Sequence, residues 1–343
     1  MLVLDPLIWN GAYRHMSKTI ETVGGHILSR NVALRKQAFD YPVSTALLYS
    51  SDLPSEFRTR WGSKSLKNRP KITEKSCKTA LSRSKAEFRD YAINPYTGCQ
   101  HGCVYCYANF MRRFSGHFHD AWGSFVDVKV NLLAVLDKEL QRKAGGTIWL
   151  SSVCDPYQPL ERKYELTRGV IELLSRYKEF PISILTKNVL VLRDLDLLER
   201  LKDRVDVGCT ITTFNSEAQS IFEPYASSVN DRVKALGKLN EAGIDTWAFI
   251  APILPHATES DLETGLQRLA EAGVKRLMTD RSNARGMIMR QTIEAYERWR
   301  PDIDVAKVRG LLWHGDKYYR DLDRTIARLW KLTANGSVHE AVF

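Results

Sequence analysis

The sequence lacks an apolar run long enough to cross a membrane. Its longest apolar stretch, DTWAFIAPILP at residues 245–255, is interrupted by two prolines, and a membrane-spanning helix needs about 20 apolar residues. The first residues, MLVLDPLIWNGAYRHMSK, also lack the basic leader, apolar core and small-residue cleavage site of a secretory signal. These two absences predict a cytoplasmic protein with no membrane partner.

A cytoplasmic location argues against a disulfide framework, because thiols are kept reduced in that compartment. The chain has six cysteines, and three of them, Cys99, Cys103 and Cys106, fall within eight positions. Clustering of this kind in a cytoplasmic chain favours metal or redox chemistry.

A glycine fingerprint of the G-x-G-x-x-G type is also missing after the first predicted strand, which disfavours a doubly wound nucleotide-binding fold. From about residue 94, short β-branched or aromatic runs alternate with amphipathic helical stretches. Strands are predicted at 147–153, 182–187, 205–213, 245–252 and 274–280. Such alternation implies parallel strands joined by crossover helices, and we predict an α/β fold, a partial (β/α)6 barrel of the TIM type.

The pattern divides the chain into three parts. Residues 1–90 are predicted to form an irregular basic extension, residues 91–300 the core barrel and residues 301–343 a helical C-terminal extension. In barrels of this type, chemistry collects where the strands end. The predicted strand ends carry the cysteine cluster and the stretches CDPYQP, TTFN, APILP and TDRSN.

Positive charge is concentrated just before the cysteines. The net charge is +10, and residues 58–89 contain eleven Lys or Arg against two acidic residues, Glu74 and Glu87. Such a segment is typical of a surface that contacts the phosphates of DNA. It is equally typical of a solvated basic linker, and the charge pattern alone leaves both interpretations open.

Three thiolates on one short loop can converge on a single inorganic centre. A structural zinc site closes with four ligands, so this loop would need a fourth ligand such as His101, His117 or His119. A [4Fe–4S] cluster bound by three cysteines leaves one iron without a protein ligand. That open iron is useful only if another molecule binds to it.

The spacing Cys-x3-Cys-x2-Cys, with Tyr105 just before the third cysteine, resembles the signature of the radical S-adenosylmethionine (radical SAM) superfamily. The surrounding stretches NPYTGCQHGCVYCYANF, DPYQPLE, ILTKN, FEPYA and AGIDTWAFIAPILP resemble the spore photoproduct lyase-like, or DNA repair photolyase-like, group of that superfamily. The resemblance extends over residues 75–290.

The resemblance implies a [4Fe–4S] cluster on Cys99, Cys103 and Cys106, with S-adenosylmethionine bound at the open iron. One electron from the reduced cluster would cleave the sulfonium and yield a 5′-deoxyadenosyl radical that abstracts a hydrogen atom. A cellular one-electron donor such as flavodoxin or ferredoxin is implied as a partner. The protein would position the substrate and exclude solvent.

Several residues are expected to bind S-adenosylmethionine. The Lys187 ammonium could pair with the carboxylate of the methionine moiety, although a solvated loop lysine would look the same in the sequence. Thr210 and Thr212 face one side of their strand and could bind the ribose, although threonine is common in strands. The resemblance also assigns to this site Tyr105, whose ring would lie against the adenine, together with Tyr107, Ser152 and Asp155.

Cys154, at the end of the second strand, is a candidate catalytic residue. Spore photoproduct lyases place a cysteine in an equivalent stretch, where it donates a hydrogen atom to the product radical. A thiol suits this role because its S–H bond is weak. A small buried cysteine is an equally plausible interpretation.

The resemblance and the basic segment together predict a radical SAM enzyme that acts on damaged nucleic acid, as a DNA photoproduct lyase does. Two alternatives stay open: a radical SAM enzyme with an RNA, peptide or small-molecule substrate, and a non-catalytic zinc-stabilised nucleic-acid-binding protein. RSNARGM at residues 281–287 could contact nucleic acid by charge, or could be an ordinary surface loop.

Overall fold

The computed structural model describes residues 70–84, 89–333 and 338–341. The strands are β1 (Lys71–Lys75), β2 (Leu81–Arg83), β3 (Tyr91–Ile93), β4 (Tyr96–Thr97), β5 (Phe125–Lys129), β6 (Ile148–Leu150), β7 (Ile182–Thr186), β8 (Val205–Thr210), β9 (Asp245–Ile253), β10 (Arg276–Arg281) and β11 (Val338–Ala341).

The α-helices are α1 (Leu132–Leu140), α2 (Glu161–Tyr164), α3 (Leu166–Leu174), α4 (Leu195–Arg200), α5 (Ser216–Phe222), α6 (Val229–Glu241), α7 (Leu262–Glu271), α8 (Met287–Trp299), α9 (Val305–His314) and α10 (Asp316–Thr333). Two 3₁₀ helices span Tyr107–Arg113 and Val189–Asp194.

The main sheet has eight strands in the order β11-β10-β9-β8-β7-β6-β3-β2. Among the strands of the described residues, every neighbouring pair from β3 to β11 is parallel, and β2 runs antiparallel to β3. Strands that follow one another along the chain lie side by side, which crossover helices make possible. The predicted α/β partial barrel is confirmed, and it is open, because β2 and β11 are the edges of this sheet in the described residues.

A second, three-stranded sheet has the order β1-β5-β4. Strand β1 runs parallel to β5, and β4 runs antiparallel to it. Strand β1 therefore belongs to the three-stranded sheet and β2 to the main sheet, although both strands lie before the predicted boundary at residue 90. Residues 1–69 of the predicted extension lie outside the described residues, whereas the predicted C-terminal extension contains α9, α10 and β11.

Helices cover the outer face of the sheet with apolar side chains at helical spacing. In α3, Val170, Leu173 and Leu174 lie on one face of the helix and are buried in the core. Helix α10 buries Tyr319, Leu322, Ile326 and Trp330, spaced three or four residues apart, against the β8–β10 side of the core.

Side-chain caps fix the starts of several helices. Asn215 accepts a hydrogen bond from the Ala218 N–H at the start of α5, and Ser228 accepts one from the Asp231 N–H at the start of α6. Each cap satisfies a helix N–H that has no partner within the helix. The helix that follows each strand end therefore begins at a defined residue. Among the helices of the described residues, none is long and apolar enough to cross a membrane.

Close packing between β8 and β9 gives a test of the fold. Gly208 of β8 is paired with Trp247 of β9, and a Cβ at Gly208 would lie 2.3 Å from Trp247 Cε2. The Trp247 indole cannot move freely, because its Nε1–H donates to Asp206 Oδ1 at 2.7 Å. We expect Gly208→Ala to lower the free energy of unfolding by about 1–3 kcal/mol in urea titrations.

Gly310→Ala is the matched control for this substitution. Gly310 is exposed on α9 and a Cβ there would meet no atom within 4 Å. We expect this variant to be as stable as the parent protein or more stable by up to about 1 kcal/mol, because alanine is the better helix former. Equal stability of the two variants would contradict the packing described for Gly208.

Candidate active site

The three clustered cysteines lie on a tight loop that follows β4. The Gly102 N–H donates to the Cys99 carbonyl at 3.3 Å, and the Cys106 N–H donates to the Cys103 carbonyl at 3.2 Å. Cys99 and Cys103 are buried and Cys106 is partly buried. Gly98 starts the loop with φ +90°, where a Cβ would lie 2.4 Å from the Phe125 carbonyl oxygen. Only glycine fits both this conformation and this approach.

Backbone hydrogen bonds join the cysteine loop to the opposite side of the barrel mouth. The Val104 N–H donates to the Phe222 carbonyl at 3.0 Å, and the Tyr225 N–H donates to the His101 carbonyl at 3.3 Å. Phe222 is the last residue of α5. The loop is therefore fixed against the segment that joins α5 to α6.

The side chain of Tyr105 is 5% exposed, and its hydroxyl donates to Glu223. Thr212 Oγ1 lies 2.9 Å from the same hydroxyl, 3.0 Å from Glu223 Oε1 and 2.8 Å from the Ala251 carbonyl oxygen. Tyr105 is thus a packed tyrosine whose hydroxyl is engaged within the protein. The Thr212 hydroxyl, predicted to bind ribose, is likewise engaged by protein groups.

Glu223 forms a buried ion pair with Arg232, and each side chain is 1% exposed. Arg232 also donates to the Thr210 carbonyl at 2.7 Å and to the Ser227 carbonyl at 2.8 Å. Burial alone would raise the pKa of Glu223, but the positive charges of Arg232 and Lys187, together with the hydrogen bonds from Arg232 and Tyr105, hold this pKa below its usual range. Burial and the neighbouring Glu223 carboxylate raise the pKa of Tyr105 far above its usual value, so its hydroxyl stays protonated.

Asp155 is a second buried carboxylate that holds the loop. Its Oδ1 accepts hydrogen bonds from Thr186 Oγ1 at 2.7 Å and from the Tyr157 N–H at 2.9 Å. Its Oδ2 accepts from the Lys187 N–H at 2.7 Å and lies 3.3 Å from His101 Nδ1. These four partners fill the capacity of a carboxylate. Asp155 therefore braces the site, and the predicted contact with S-adenosylmethionine would find no free lone pair.

Two of the three histidines considered as a fourth zinc ligand have both ring nitrogens engaged. In His101, Nδ1 faces Asp155 and Nε2 lies 3.2 Å from Asn188 Nδ2. In His117, Nδ1 faces Asp120 and Nε2 lies 3.0 Å from Asp127 Oδ1. The third, His119, is exposed. The buried histidines are structural, and neither offers a free nitrogen to a metal.

Cys154 lies just beyond β6 in a loop that is fixed by Asn94. Asn94 Oδ1 accepts from the Ser152 N–H at 3.0 Å and from the Val153 N–H at 2.8 Å. Cys154 Sγ lies 3.3 Å from Ser151 Oγ and 3.9 Å from Asn94 Oδ1. Burial raises the pKa of this thiol to about 11, so it carries its hydrogen at neutral pH.

The remaining predicted residues lie at neighbouring strand ends. Tyr107 is 51% exposed, and its hydroxyl donates to the Ser152 carbonyl.

Lys187 directly follows β7, with Nζ 5.8 Å from the centroid of the Tyr105 ring. Burial lowers the pKa of Lys187, but Cys103 and Glu223 outweigh burial and raise it. Thr210 is the last residue of β8. The structure thus brings the predicted residues to one mouth of the barrel.

Sequence reasoning missed the residues that organise this mouth: Glu223, Arg232 and Asn94. Glu223 and Asn94 lie within the stretches FEPYA and NPYTGC that carry the family resemblance, but nothing in those stretches names their partners. Asp280, in β10, was also missed. Burial raises the pKa of its carboxyl to about 6, and its charge contributes to the raised pKa of Tyr107.

The residues present fit a [4Fe–4S] cluster. Three thiols on one tight loop are the donor set that such a cluster takes, and each thiol would bind a different iron. Within the described ranges, no three His, Cys, Asp or Glu side chains are arranged to hold a single metal ion. Burial raises the pKa of Cys103 and of Cys106, so binding of iron would release protons from these thiols.

An open (β/α) barrel whose first βα loop carries Cys99, Cys103 and Cys106 at its mouth defines a class of enzymes that cleave S-adenosylmethionine at an iron–sulfur cluster. The sequence model of the Radical SAM superfamily matches residues 93–269, just over half of the chain. The chain belongs to the radical SAM superfamily.

Two known proteins illustrate what this chain is similar to. The protein MJ0683 of Methanocaldococcus jannaschii is 39% identical over 184 residues, which cover 54% of this chain and 68% of that protein. The radical SAM Nalpha-GlyT isomerase of Pseudomonas phage M6 is 28% identical over 199 residues, which cover 56% of this chain and 39% of the isomerase.

Among solved structures, a double mutant of spore photoproduct lyase with bound AdoMet and dinucleoside spore photoproduct superimposes with a TM-score of 0.62. The two sequences are 20% identical, and the match covers 79% of this chain and 82% of the lyase. At this identity the similarity establishes the fold alone.

Members of this superfamily use a [4Fe–4S] cluster and S-adenosylmethionine, so the chain is a radical SAM enzyme with these two cofactors and needs a reductant. When bound, they supply a 5′-deoxyadenosyl radical that removes a hydrogen atom from the substrate. The zinc alternative is therefore set aside.

Substitutions in the Glu223–Arg232 pair test how much this buried ion pair contributes to stability. We expect Arg232→Met to lower the free energy of unfolding by about 3–5 kcal/mol, because it leaves a buried carboxylate without its cation. The double variant Glu223→Gln/Arg232→Met carries no buried charge at this place and should recover part of the loss in urea titrations. A double variant that is no more stable than the single variant would contradict this account of the pair.

Proposed function

We propose that this radical SAM enzyme acts on damaged nucleic acid in the cytoplasm, in the manner of a DNA photoproduct lyase. The single observation that carries the proposal is the position of the Cys154 thiol at the mouth of the barrel. Its Sγ is 3.3 Å from Ser151 Oγ in a loop whose position Asn94 fixes.

Cys154 would be the hydrogen-atom donor. Its pKa of about 11 keeps the S–H bond intact at neutral pH, and a thiolate would have no hydrogen atom to give. In the proposed step the S–H bond breaks homolytically, the hydrogen atom passes to a carbon radical of the substrate, and a sulfur radical remains on Cys154. Ser151 and Asn94 hold the sulfur at the mouth.

Cys99, Cys103 and Cys106 would ligate the cluster. The ammonium of Lys187 would pair with the carboxylate of S-adenosylmethionine, since Lys187 lies at the end of β7, next to the loop. Tyr107, Ser152 and Thr210 would line the cofactor site. Three residues take other roles than those predicted from the sequence: in our proposal Tyr105, Asp155 and Thr212 brace the site through the hydrogen bonds described above.

The substrate class is supported by similar proteins and by charge. The structural neighbour was solved with a dinucleoside spore photoproduct, and the phage relative is named as an Nalpha-GlyT isomerase. The basic segment at residues 58–89 would contact nucleic acid phosphates. Only residues 70–84 and Arg89 of this segment lie within the described residues. The electron donor would be a flavodoxin or ferredoxin.

Ultraviolet-treated DNA gives the direct test of the substrate class. The reconstituted enzyme, with dithionite and S-adenosylmethionine under anaerobic conditions, should bind treated DNA more tightly than untreated DNA and lower the photoproduct content that mass spectrometry measures. Equal binding of both DNAs with no loss of photoproduct would refute a photoproduct lyase activity. The RNA, peptide or small-molecule alternatives would then be the ones to pursue.

The role of Cys154 is tested by removing its thiol. We expect Cys154→Ala and Cys154→Ser to keep forming 5′-deoxyadenosine but to lose most of the repaired product, because neither replacement offers a weak S–H bond. Cys77→Ala is the control, since Cys77 packs against the core beside β2 and should leave both yields unchanged. An unchanged yield of repaired product in Cys154→Ala would show that this thiol is not the donor.

A further inference from the structure

Four aromatic side chains lie exposed directly after the cysteine loop. Tyr107, Phe110, Phe114 and Phe118 are 51%, 41%, 68% and 59% exposed. We call these four residues the aromatic platform. The rings of Phe110 and Phe114 are in contact, edge to face, with centroids 6.2 Å apart. Exposed aromatic rings grouped in this way typically mark a binding surface.

Buried side chains fix the backbone of the segment that carries the platform. Arg112 is buried and donates to Asn109 Oδ1 at 3.1 Å, to the His117 carbonyl at 3.4 Å and to the Phe118 carbonyl at 2.5 Å. The His117 ring stacks on Phe125, with centroids 3.9 Å apart. A buried arginine and a buried histidine thus fix the backbone beneath the exposed rings. The exposed rings of the platform therefore belong to an ordered segment.

The segment that carries the platform is basic, and the acidic charge near it is that of Asp280 beside Tyr107 and of Asp120, which directly follows the segment. Residues 107–119 contain two arginines and no acidic residue. The loop at residues 281–287 lies against this segment, because Arg112 Nη1 is 3.1 Å from Met287 Sδ. Arg113 and Arg285 are exposed, and neither is in an ion pair with another of the described residues. Two exposed guanidinium groups that form no ion pair with the described residues therefore lie in this segment and in the loop that contacts it.

The platform adjoins the proposed active site, since the Tyr107 hydroxyl donates to the carbonyl of Ser152, two residues before Cys154. We propose that the platform binds single-stranded nucleic acid, with bases stacked on Phe110, Phe114 and Phe118 and with Arg113 and Arg285 contacting phosphates. This inference rests on the proposed function for its substrate class and adds where, and in which form, the strand is bound.

Single strands are favoured over duplexes for a physical reason. The bases of a duplex are already stacked on one another, whereas an unpaired base has a free face to place on a ring. An acidic protein such as an electron donor would also complement the arginines. The aromatic rings favour nucleic acid, because their flat faces match bases and would add little to recognition of carboxylates.

The test is binding of fluorescent single-stranded and duplex oligonucleotides of the same sequence by the reconstituted protein, followed by anisotropy over a salt series. Phe114→Ala and Phe118→Ala should each weaken single-strand binding by about 5- to 100-fold, the effect of losing one stacked base. Phe114→Leu should weaken it similarly, because leucine keeps an apolar contact but has no ring. The preference for single strands over duplex should shrink in all three variants.

The salt dependence separates stacking from charge. Loss of a ring should leave the slope of log affinity against log salt unchanged, whereas Arg113→Ala should make it shallower by about one unit. Leu332→Ala is the control for loss of an exposed apolar side chain, because Leu332 is 74% exposed at the end of α10, close to the start of β10 and away from the mouth, and this variant should bind as the parent protein does.

Two outcomes would overturn the inference while leaving the proposed function intact. Phe114→Ala and Phe118→Ala could bind nucleic acid as tightly as the parent protein does. Alternatively, they could bind it normally and lose only the formation of 5′-deoxyadenosine driven by a protein reductant, which would make the platform a docking surface for the electron donor. Absence of nucleic acid binding by the parent protein would refute both the inference and the proposed substrate class.

Discussion

The active-site mouth depends on one buried carboxylate, that of Glu223. A charge in this position is costly unless it is paired and hydrogen-bonded. Its partners come from three parts of the chain: Tyr105 from the cysteine loop, Thr212 from the segment just after β8, and Arg232 from α6. Because Arg232 also binds the carbonyl at the end of β8, the pair fixes the cysteine loop relative to the sheet.

A second carboxylate, Asp155, repeats this arrangement on the other side of the mouth. It joins His101 of the cysteine loop to the end of β7 through Thr186 and the Lys187 N–H. The two carboxylates thus brace the loop from both sides before any cofactor binds. Polar groups that hold the loop in place are not available to bind a ligand, which leaves the Cys154 thiol and the Lys187 ammonium as candidates for chemistry and recognition.

Local patterns in the sequence predicted the parts of the structure that local chemistry determines. The alternation of strands and helices predicted the parallel barrel, and the cysteine spacing predicted the loop at its mouth. The sequence did not reveal the partners of Glu223, because they are distant along the chain: Tyr105 is 118 residues away. The sequence also did not predict that Phe110, Phe114 and Phe118 are exposed, because apolar residues are ordinarily assigned to the interior. Strands β1 and β2 were not predicted either, because they lie in a segment dominated by charge.

The braced loop is expected to hold a [4Fe–4S] cluster at which S-adenosylmethionine is cleaved. The most direct measurement is anaerobic reconstitution with iron and sulfide, followed by reduction with S-adenosylmethionine present and quantification of iron, zinc and 5′-deoxyadenosine. We expect about four irons per chain and formation of 5′-deoxyadenosine that is lost when Cys99, Cys103 or Cys106 is replaced by alanine. Stoichiometric zinc without any 5′-deoxyadenosine would contradict this expectation.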